Sequence, residues 1–416
     1  MRESDLISRM AKHDKPKPNQ KKTKKTRREK KVEAAPNDDK SINKSNKTIT
    51  RTECSSKKAT SKNPKRKEKA GVNFSKEPSM LINTTTESSS AHPKQKKALP
   101  VTPRWTGEAA AKAFVENNSD IKVIRAEFDA MIATTELLDS TYTAFSANMK
   151  RNRSENFPCL DKNRVVLQKS NGQQNDYINA TLMEIQFPRK VIIAQMPISG
   201  VEGCVEDFWR MIYQEGVVTV HLMCMPFENE KNFAEIFPQS TGNFEYYGTM
   251  FVNNRKSEPG KEVNVNTLEV LPDGCSHSVI VQMNQHLLWK AEMGPNTLAA
   301  LNRAAHQLYT EKETGPVCLV SLLGAGRAGT LLATAVAMYQ ISQGIEPKIK
   351  EIMDSLKKQR PGILENLVQY ISIYTSLFKY IRKKTQDRKL HEKMDVFLKV
   401  LAESVQRGSI LFTLNG

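Results

Sequence analysis

The stretch PVCLVSLLGAGRAG, residues 316–329, sets the expectations for the whole chain. Its first part, Val317–Val320, is a short apolar run that predicts a buried β-strand. A loop of small residues, Gly324–Gly329, follows, and Leu331–Ile341 is apolar on all sides, which predicts a central helix. A strand, a glycine loop and a helix in this order favour anion binding, because backbone N–H groups and the helix N-terminus point at one place.

The loop sequence GAGRAG admits two interpretations. It matches the GxGxxG pattern of dinucleotide-binding sites, which follow a strand and open a helix. That fold needs another parallel strand after the helix, whereas the chain beyond Gly344 has a charged helical pattern. In the second interpretation Arg327 closes bidentately on an anion that the loop backbone holds. The second interpretation uses more of the local sequence, and we prefer it.

From Trp105 onward, short β-rich runs alternate with helical patterns. Turn residues are predicted at Asn253–Gly260 and Pro272–Gly274. Strands are predicted at 164–167, 177–182, 191–195, 217–224, 244–252, 263–271, 278–283 and 317–320. Helices are predicted at 107–118, 121–137, 205–214, after Pro295, and at 331–341, 347–358, 366–384 and 388–406. Many short strands with helices at the C-terminal end favour an α+β or mixed α/β domain over a run of βαβ units.

Positive charge is concentrated in the first hundred residues. The chain has a net charge of +18, and residues 1–100 hold 28 basic and 11 acidic side chains with Phe74 as their one aromatic. Such a segment cannot bury enough apolar surface to offset its ordering entropy, which predicts a disordered arm over 1–104. Its basic runs, Lys21–Lys31 and Lys62–Lys69, fit contact with a polyanion, either nucleic acid or anionic membrane, or a solvated arm.

Composition excludes several classes of protein. The N-terminus lacks the apolar core of a signal peptide, and no stretch approaches the roughly 18 apolar residues of a membrane span. The six cysteines form no CxxC pair, so neither a disulfide framework nor a zinc site is indicated. We expect an intracellular protein, cytoplasmic or nuclear, neither secreted nor transmembrane, without metal or small-molecule cofactor.

Further motifs resemble the protein tyrosine phosphatase domain, in the right order over residues 130–385. The resemblance implies a central mixed twisted sheet flanked by helices in a domain at 105–385, with a C-terminal helical extension at 386–416. It rests on KNR at 162–164, DYINA at 176–180, IAQMP at 193–197, DFWRM at 207–211, Trp289 and Pro295 around the general-acid loop, the stretch 316–329, RPG at 360–362 and QY at 369–370.

The resemblance implies that the catalytic nucleophile is missing. In this family a cysteine thiolate six residues before the loop arginine attacks phosphorus, and a helix N-terminus with cationic neighbours lowers its pKa. Ser321 stands at that position, and its hydroxyl stays protonated in the same field. Val320 replaces the family's histidine, and Ala328 replaces the hydroxyl residue that would bond the thiolate. Cys318, on the predicted strand, is interpreted as a core thiol rather than a substitute nucleophile.

The other catalytic positions differ as well. By resemblance, Ala291 stands where the general acid belongs, with Glu292 as a possible substitute. Glu365 stands at the water-positioning glutamine, where a carboxylate would repel phosphate. Val165 and Leu167 replace the tyrosine and aspartate that wall and hold the phosphotyrosine substrate. Trp289 and Gln369 are retained as supporting residues, whereas Leu322 and Leu323 replace small loop residues and could fill the phosphate space.

These substitutions favour a catalytically inactive binding or scaffold module, in phosphotyrosine signalling, with a protein partner that could itself be phosphorylated. One alternative is a weak or active phosphatase that uses Ser321 or Glu292. Another is a phosphate or phosphotyrosine sensor, and Arg327 then either binds the anion or ties the loop to neighbouring carbonyls or to Glu365. The loop that would hold the anion consists of Ser321, Gly324, Ala325, Gly326 and Arg327.

Overall fold

A computed structural model describes most of the chain beyond its first 104 residues. The described residues are 105–133, 141–169, 175–225, 228, 233–290, 294–295, 297–311 and 315–406. The predicted basic arm, both candidate general-acid positions (Ala291 and Glu292) and the end of the predicted helix 121–137 therefore lie outside them.

The described residues form one mixed sheet of nine strands, in the order β1-β2-β3-β9-β4-β8-β7-β6-β5. The four central strands β3, β9, β4 and β8 run parallel, and the outer strands pair antiparallel. The strands are β1 (Arg164–Val166), β2 (Tyr177–Met183), β3 (Val191–Gln195), β4 (Thr219–Met223), β5 (Phe244–Tyr247), β6 (Met250–Glu258), β7 (Val263–Pro272), β8 (Val279–His286) and β9 (Val317–Ser321).

Helices cover both faces of the sheet, which confirms the predicted fold class. Neighbouring residues of a strand point to opposite faces, so Ile193 joins one core and Ile192 the other. The helix α4 packs in the core of Ile192, and α1, α2 and α5 to α9 build the other. The helices are α1 (Glu108–Asn117), α2 (Ile121–Ala133), α3 (Thr143–Ala147), α4 (Cys204–Gln214), α5 (Leu298–Thr310), α6 (Arg327–Ser342), α7 (Ile349–Gln359), α8 (Leu367–Lys384) and α9 (Arg388–Gln406).

The last strand of the described chain is β9, which decides between the two interpretations of the glycine loop. Among the described residues after β9 only helices are found, so the dinucleotide-binding fold, which requires a further parallel strand after the helix, is excluded. α6 is buried on all sides over Arg327–Met338, as its uniform apolar character predicts. No helix in the described part of the chain is long and apolar enough to cross a membrane.

The prediction of a turn at Asn253–Gly260 was wrong over Asn253–Glu258 and holds for Pro259 and Gly260, which lie between β6 and β7. Residues 250–258 form the long strand β6, and the turn that divides the predicted strand 244–252 lies at Gly248, whose φ is +59°. Asn254, one of the polar residues that suggested a turn, is fully buried in β6. The amide nitrogen of Asn254 donates to Pro238 O at 2.8 Å and to Ser257 Oγ at 2.9 Å. Because its donors are bonded, a buried asparagine is tolerated in a strand.

Two buried histidines lie side by side on β4 and β8. Nδ1 of His221 and Nε2 of His286 are 3.1 Å apart. Burial, with a smaller contribution from the charge of Arg189, lowers the pKa of His221 to about 3, and burial with a smaller contribution from His221 lowers the pKa of His286 to about 3. Both rings are therefore neutral in the folded protein at pH 5, where histidines of the unfolded chain are charged.

Acidification is expected to destabilise the fold through this pair. In the unfolded chain the two histidines bind protons below about pH 6.5, whereas in the folded chain they bind them only near pH 3. The free energy of unfolding therefore decreases as the pH falls. Between pH 7.5 and 5.0 we expect a loss of up to about 2 kcal/mol per histidine. Urea unfolding at several pH values measures it. The double variant His221→Gln/His286→Gln should show a flatter pH dependence, and an unchanged slope would contradict this assignment.

Candidate functional site

The glycine loop joins the end of β9 to the start of α6 at the centre of the sheet. Gly324 and Gly326 have φ values of +65° and +56°, which L side chains rarely adopt. The space around them is also closed. A Cβ atom on Gly324 would lie 2.2 Å from Nη2 of Arg360, and one on Gly326 would lie 1.9 Å from Oε2 of Glu365. Both glycines are thus required by the packing of the loop.

Ser321 is the last residue of β9, and its hydroxyl is bonded inside the loop. Oγ donates to the carbonyl oxygen of Ala325 at 2.7 Å and accepts from the backbone N–H of Ala325 at 3.0 Å. The side chain is 1% exposed. Within the described residues, no imidazole or carboxylate is hydrogen-bonded to it. Nothing in this geometry removes a proton from the hydroxyl.

Arg327, the first residue of α6, is bonded to groups that come from distant parts of the chain. Its Nη1 donates to the carbonyl oxygen of Trp289 at 2.7 Å and lies 2.7 Å from Oε2 of Glu228. The arginine side chain is 3% exposed and the glutamate side chain 8%. The carbonyl oxygen of Trp289 is thus a partner of the kind that the sequence predicts for an arginine that ties the loop in place.

Glu365 pairs with Gln369 instead. The side-chain nitrogen of Gln369 donates to Oε2 of Glu365 at 2.8 Å, and the backbone N–H of Glu365 donates back to Oε1 of Gln369 at 3.0 Å. Asn366 caps α8 by accepting from the N–H of Gln369 at 2.9 Å. The capped helix start therefore holds a carboxylate directly against Gly326.

Arg360 fastens the loop to β2. Its Nε donates to the carbonyl oxygen of Gly324, its Nη1 to Oγ1 of Thr181 at 2.8 Å, and its Nη2 to Oδ1 of Asn179 at 2.7 Å. The guanidinium is fully buried, and that burial lowers the pKa of Arg360. Three fixed acceptors in three directions suit the planar fork of an arginine, so this side chain sets the position of the loop.

The order of these elements and the loop between them agree with one known family. A family model for the protein-tyrosine phosphatase domain matches residues 148–379, more than half of the chain. The chain belongs to the protein-tyrosine phosphatase family. The tyrosine-phosphatase domain is 29% identical over 294 residues to a putative tyrosine-protein phosphatase of Caenorhabditis elegans, which covers 70% of this chain and 72% of that protein.

Further similarities extend to other members and to solved structures. A second putative tyrosine-protein phosphatase of Caenorhabditis elegans is 29% identical over 311 residues, covering 71% of this chain and 68% of its own. The catalytic domain of human protein tyrosine phosphatase non-receptor type 18 superposes with a TM-score of 0.58 at 20% identity, over 66% of this chain and 99% of that domain. The structural likeness shows the phosphatase fold.

The two positions that the resemblance assigns to substrate recognition hold buried side chains in this phosphatase domain. Val165 and Leu167 are buried in the core beside α4, so neither side chain can line an open slot. The reason is that the KNR motif runs straight into a strand, since β1 begins at Arg164 and pairs with β2. The motif itself is anchored by an ion pair between Arg164 and Asp176, with Nη2 and Oδ1 3.2 Å apart.

The remaining cysteines near the loop of the phosphatase domain are core thiols. Cys318 on β9 and Cys224 after β4 are fully buried. Burial raises the pKa of both, that of Cys224 to about 12. Neither thiol forms a thiolate at neutral pH, as expected for Cys318. Within the described residues, no group of three or more His, Cys, Asp or Glu side chains is placed to hold a metal ion.

Two residues that organise the loop were missed as site residues. Arg360 was noted only as part of the RPG match, and Glu228 was not noted at all. The RPG motif could have suggested Arg360, because the presence of this motif and of the glycine loop in the same chain indicates contact between them. No pattern marks Glu228, which is 99 positions from Arg327 in the chain.

Proposed function

We propose that this chain is a catalytically inactive member of the protein-tyrosine phosphatase family that serves as a binding or scaffold module. One observation carries the proposal. Ser321, which the resemblance aligns with the nucleophilic cysteine, uses its hydroxyl both to donate to and to accept from Ala325. A serine hydroxyl at that position has no thiolate to offer, and here it has no base beside it among the described residues.

The expected loss of rate is large. Removing the nucleophile of a catalytic unit cost on the order of 10⁶ in another hydrolase. Removing a positioned general acid costs about 10²–10⁴. The resemblance assigns the acid position to Ala291, a side chain with no proton to give. These expected losses of rate together support the proposal that the protein retains the fold for a purpose other than turnover.

Phosphate sensing is the competing hypothesis, and the charges around the loop argue against it. Arg327 shares its positive charge with Glu228 at 2.7 Å. The carboxylate of Glu365 lies against Gly326, on the loop whose backbone would have to face the anion. Two carboxylates close to the loop oppose a phosphate dianion. This electrostatic balance supports recognition of a protein surface over recognition of a phosphate group.

An activity assay on the full chain tests the proposal. We expect no turnover of a small aryl phosphate or of phosphotyrosine peptides above the level of the Arg327→Ala variant. Turnover that Arg327→Ala abolishes would show an active phosphatase. Mass spectrometry under turnover conditions adds a second readout, because a phosphoserine at Ser321 would identify the weak-enzyme alternative.

Calorimetry separates scaffolding from phosphate sensing. A peptide from a binding partner, isolated by pull-down with the full chain, is titrated with and without phosphate on its tyrosine. Equal affinities are expected for a scaffold. A preference of tenfold or more for the phosphorylated peptide, lost in Arg327→Ala, would establish sensing instead.

We further propose that residues 1–100 contact a polyanion, since they carry a net charge of +17 while the rest of the chain carries +1. Binding to a nucleic-acid duplex is expected to weaken steeply with salt. A plot of log K against the logarithm of the salt concentration should have a slope of about −0.9 for each phosphate neutralised. Replacing the eight basic residues of Lys21–Lys31 with Gln should reduce that slope. A parallel experiment measures binding of the chain to vesicles with and without anionic lipid. An unchanged slope and affinity in the Gln variant would contradict the proposal.

A further inference from the structure

An exposed cluster of three aromatic rings lies at one edge of the sheet. Phe244 and Tyr246 of β5 and Phe251 of β6 have ring centroids 5.2 to 6.3 Å apart. Phe244 is 56% exposed and Tyr246 is 60% exposed. Large aromatic side chains in contact on a surface are enriched where proteins associate. We refer to Phe244, Tyr246 and Phe251 as the edge cluster.

The two edges of this sheet differ in how they are protected. At the opposite edge, β1 is three residues long and its register shifts between Arg164 and Val166. The side chain of Gln214 also covers that edge, donating to Val166 O at 2.9 Å and accepting from the N–H of Gln168 at 2.8 Å. Such devices prevent strands of other molecules from pairing there.

β5 is also short, with four residues, but it lacks the register shift of β1. Its register with β6 runs without irregularity from Phe244 to Tyr247, and its sequence, FEYY, contains neither proline nor lysine. Among the described residues, no strand pairs with its outer side. The backbone groups on that side are therefore available to a further strand.

The edge is also held in place. The ring of Tyr247 stacks on Trp209 at 6.4 Å, on the opposite face of the sheet from the edge cluster. Oε1 of Glu206 accepts from the N–H of Thr249 at 2.9 Å and from its Oγ1 at 2.8 Å, which fixes the turn at Gly248. A partner strand would meet a preformed surface and would lose little free energy to ordering it.

We propose that β5 pairs antiparallel with β5 of a second copy of this chain, about a two-fold axis through Tyr246. An antiparallel pair of identical strands is self-complementary, as a two-fold interface requires. Side chains directly opposite each other in an antiparallel pair point to the same face of the sheet. An axis between two residues would break this rule, so the axis passes through a residue, and the two inner residues of β5 are Glu245 and Tyr246. An axis at Glu245 sets two carboxylates opposite each other. The axis at Tyr246 instead places Glu245 opposite Tyr247 and joins the two edge clusters on one face.

Sedimentation equilibrium of the full chain tests this pairing, at roughly 0.3 M salt so that the basic arms are screened. The wild-type chain should reach the mass of a dimer as its concentration rises. Tyr246→Lys and Tyr246→Glu, each alone, place like charges at the axis and should raise the dissociation constant at least tenfold. An equimolar mixture of the two variants should dimerise again, because a lysine then faces a glutamate. Val396→Lys, at an exposed valine of α9, is the matched control and should leave the equilibrium unchanged.

Three results would overturn the proposal. A wild-type chain that stays monomeric excludes pairing of β5 with a second copy. A Tyr246→Lys chain that dimerises like the wild type excludes this edge. Loss of the dimer in both variants without recovery in the mixture excludes pairing through Tyr246, and recovery itself proves that both variants are folded.

Discussion

Introducing Ser321→Cys together with Ala291→Asp and Glu365→Gln is expected to create phosphatase activity. The loop glycines, Arg327 and the start of α6 are all in place, so the new thiol would lie at the end of β9, on the loop that leads into the buried helix α6. That environment lowers a cysteine pKa from about 8.5 to roughly 3.5–7.5 and supplies the thiolate at neutral pH. We expect turnover of an aryl phosphate at least about 10³-fold above that of the matched control.

The matched control carries Ala291→Asp and Glu365→Gln but keeps Ser321. It should remain inactive, and addition of Arg327→Ala to the triple variant should remove the activity gained. Turnover by the control itself would contradict the role assigned to Ser321. A folded but inactive triple variant would show that the closed loop, rather than the missing thiol, prevents catalysis.

Arg360→Ala is expected to be among the most destabilising single substitutions in the described domain. It removes a fully buried side chain and leaves the acceptors Gly324 O, Thr181 Oγ1 and Asn179 Oδ1 without their donor. A buried polar group left unsatisfied costs about 1–3 kcal/mol, so we expect a loss of at least about 3 kcal/mol in the free energy of unfolding.

Chemical unfolding followed by tryptophan fluorescence measures this loss. Arg382→Ala is the matched control, because Arg382 is half-exposed on α8 and its pair with Asp395 is at the surface. It should cost less than about 1 kcal/mol. Arg360→Lys keeps a cation but not the fork and should fall between the two. A loss below about 1 kcal/mol for Arg360→Ala would contradict its role in holding the loop.

The central strands and the loop could be predicted from the sequence because their determinants are local. The strand β3 was predicted with its exact ends, since a run of Val and Ile between polar residues has few alternatives. The glycine loop was predicted because positive φ values and close packing leave glycine little competition at Gly324 and Gly326.

Other features depend on contacts between distant residues and could not be predicted. The polar run of β6 looks like a turn until Asn254 is seen to bond the carbonyl oxygen of Pro238, 16 positions away. The ion pair of Arg327 with Glu228 joins residues 99 positions apart. The burial of Val165 and Leu167 depends on how β1 pairs with β2 and packs beside α4, which the motif match alone does not show.

The closed packing around Gly324 and Gly326 has a consequence for reading other sequences. A methyl group at either position would collide with Arg360 or with Glu365, whether or not the loop ever holds a phosphate. The spacing of glycines before an arginine is thus a packing requirement of the fold, and it would persist without the chemistry. A search for phosphatases by this spacing therefore finds proteins that share the fold. Whether they are active depends on the residue that ends the preceding strand.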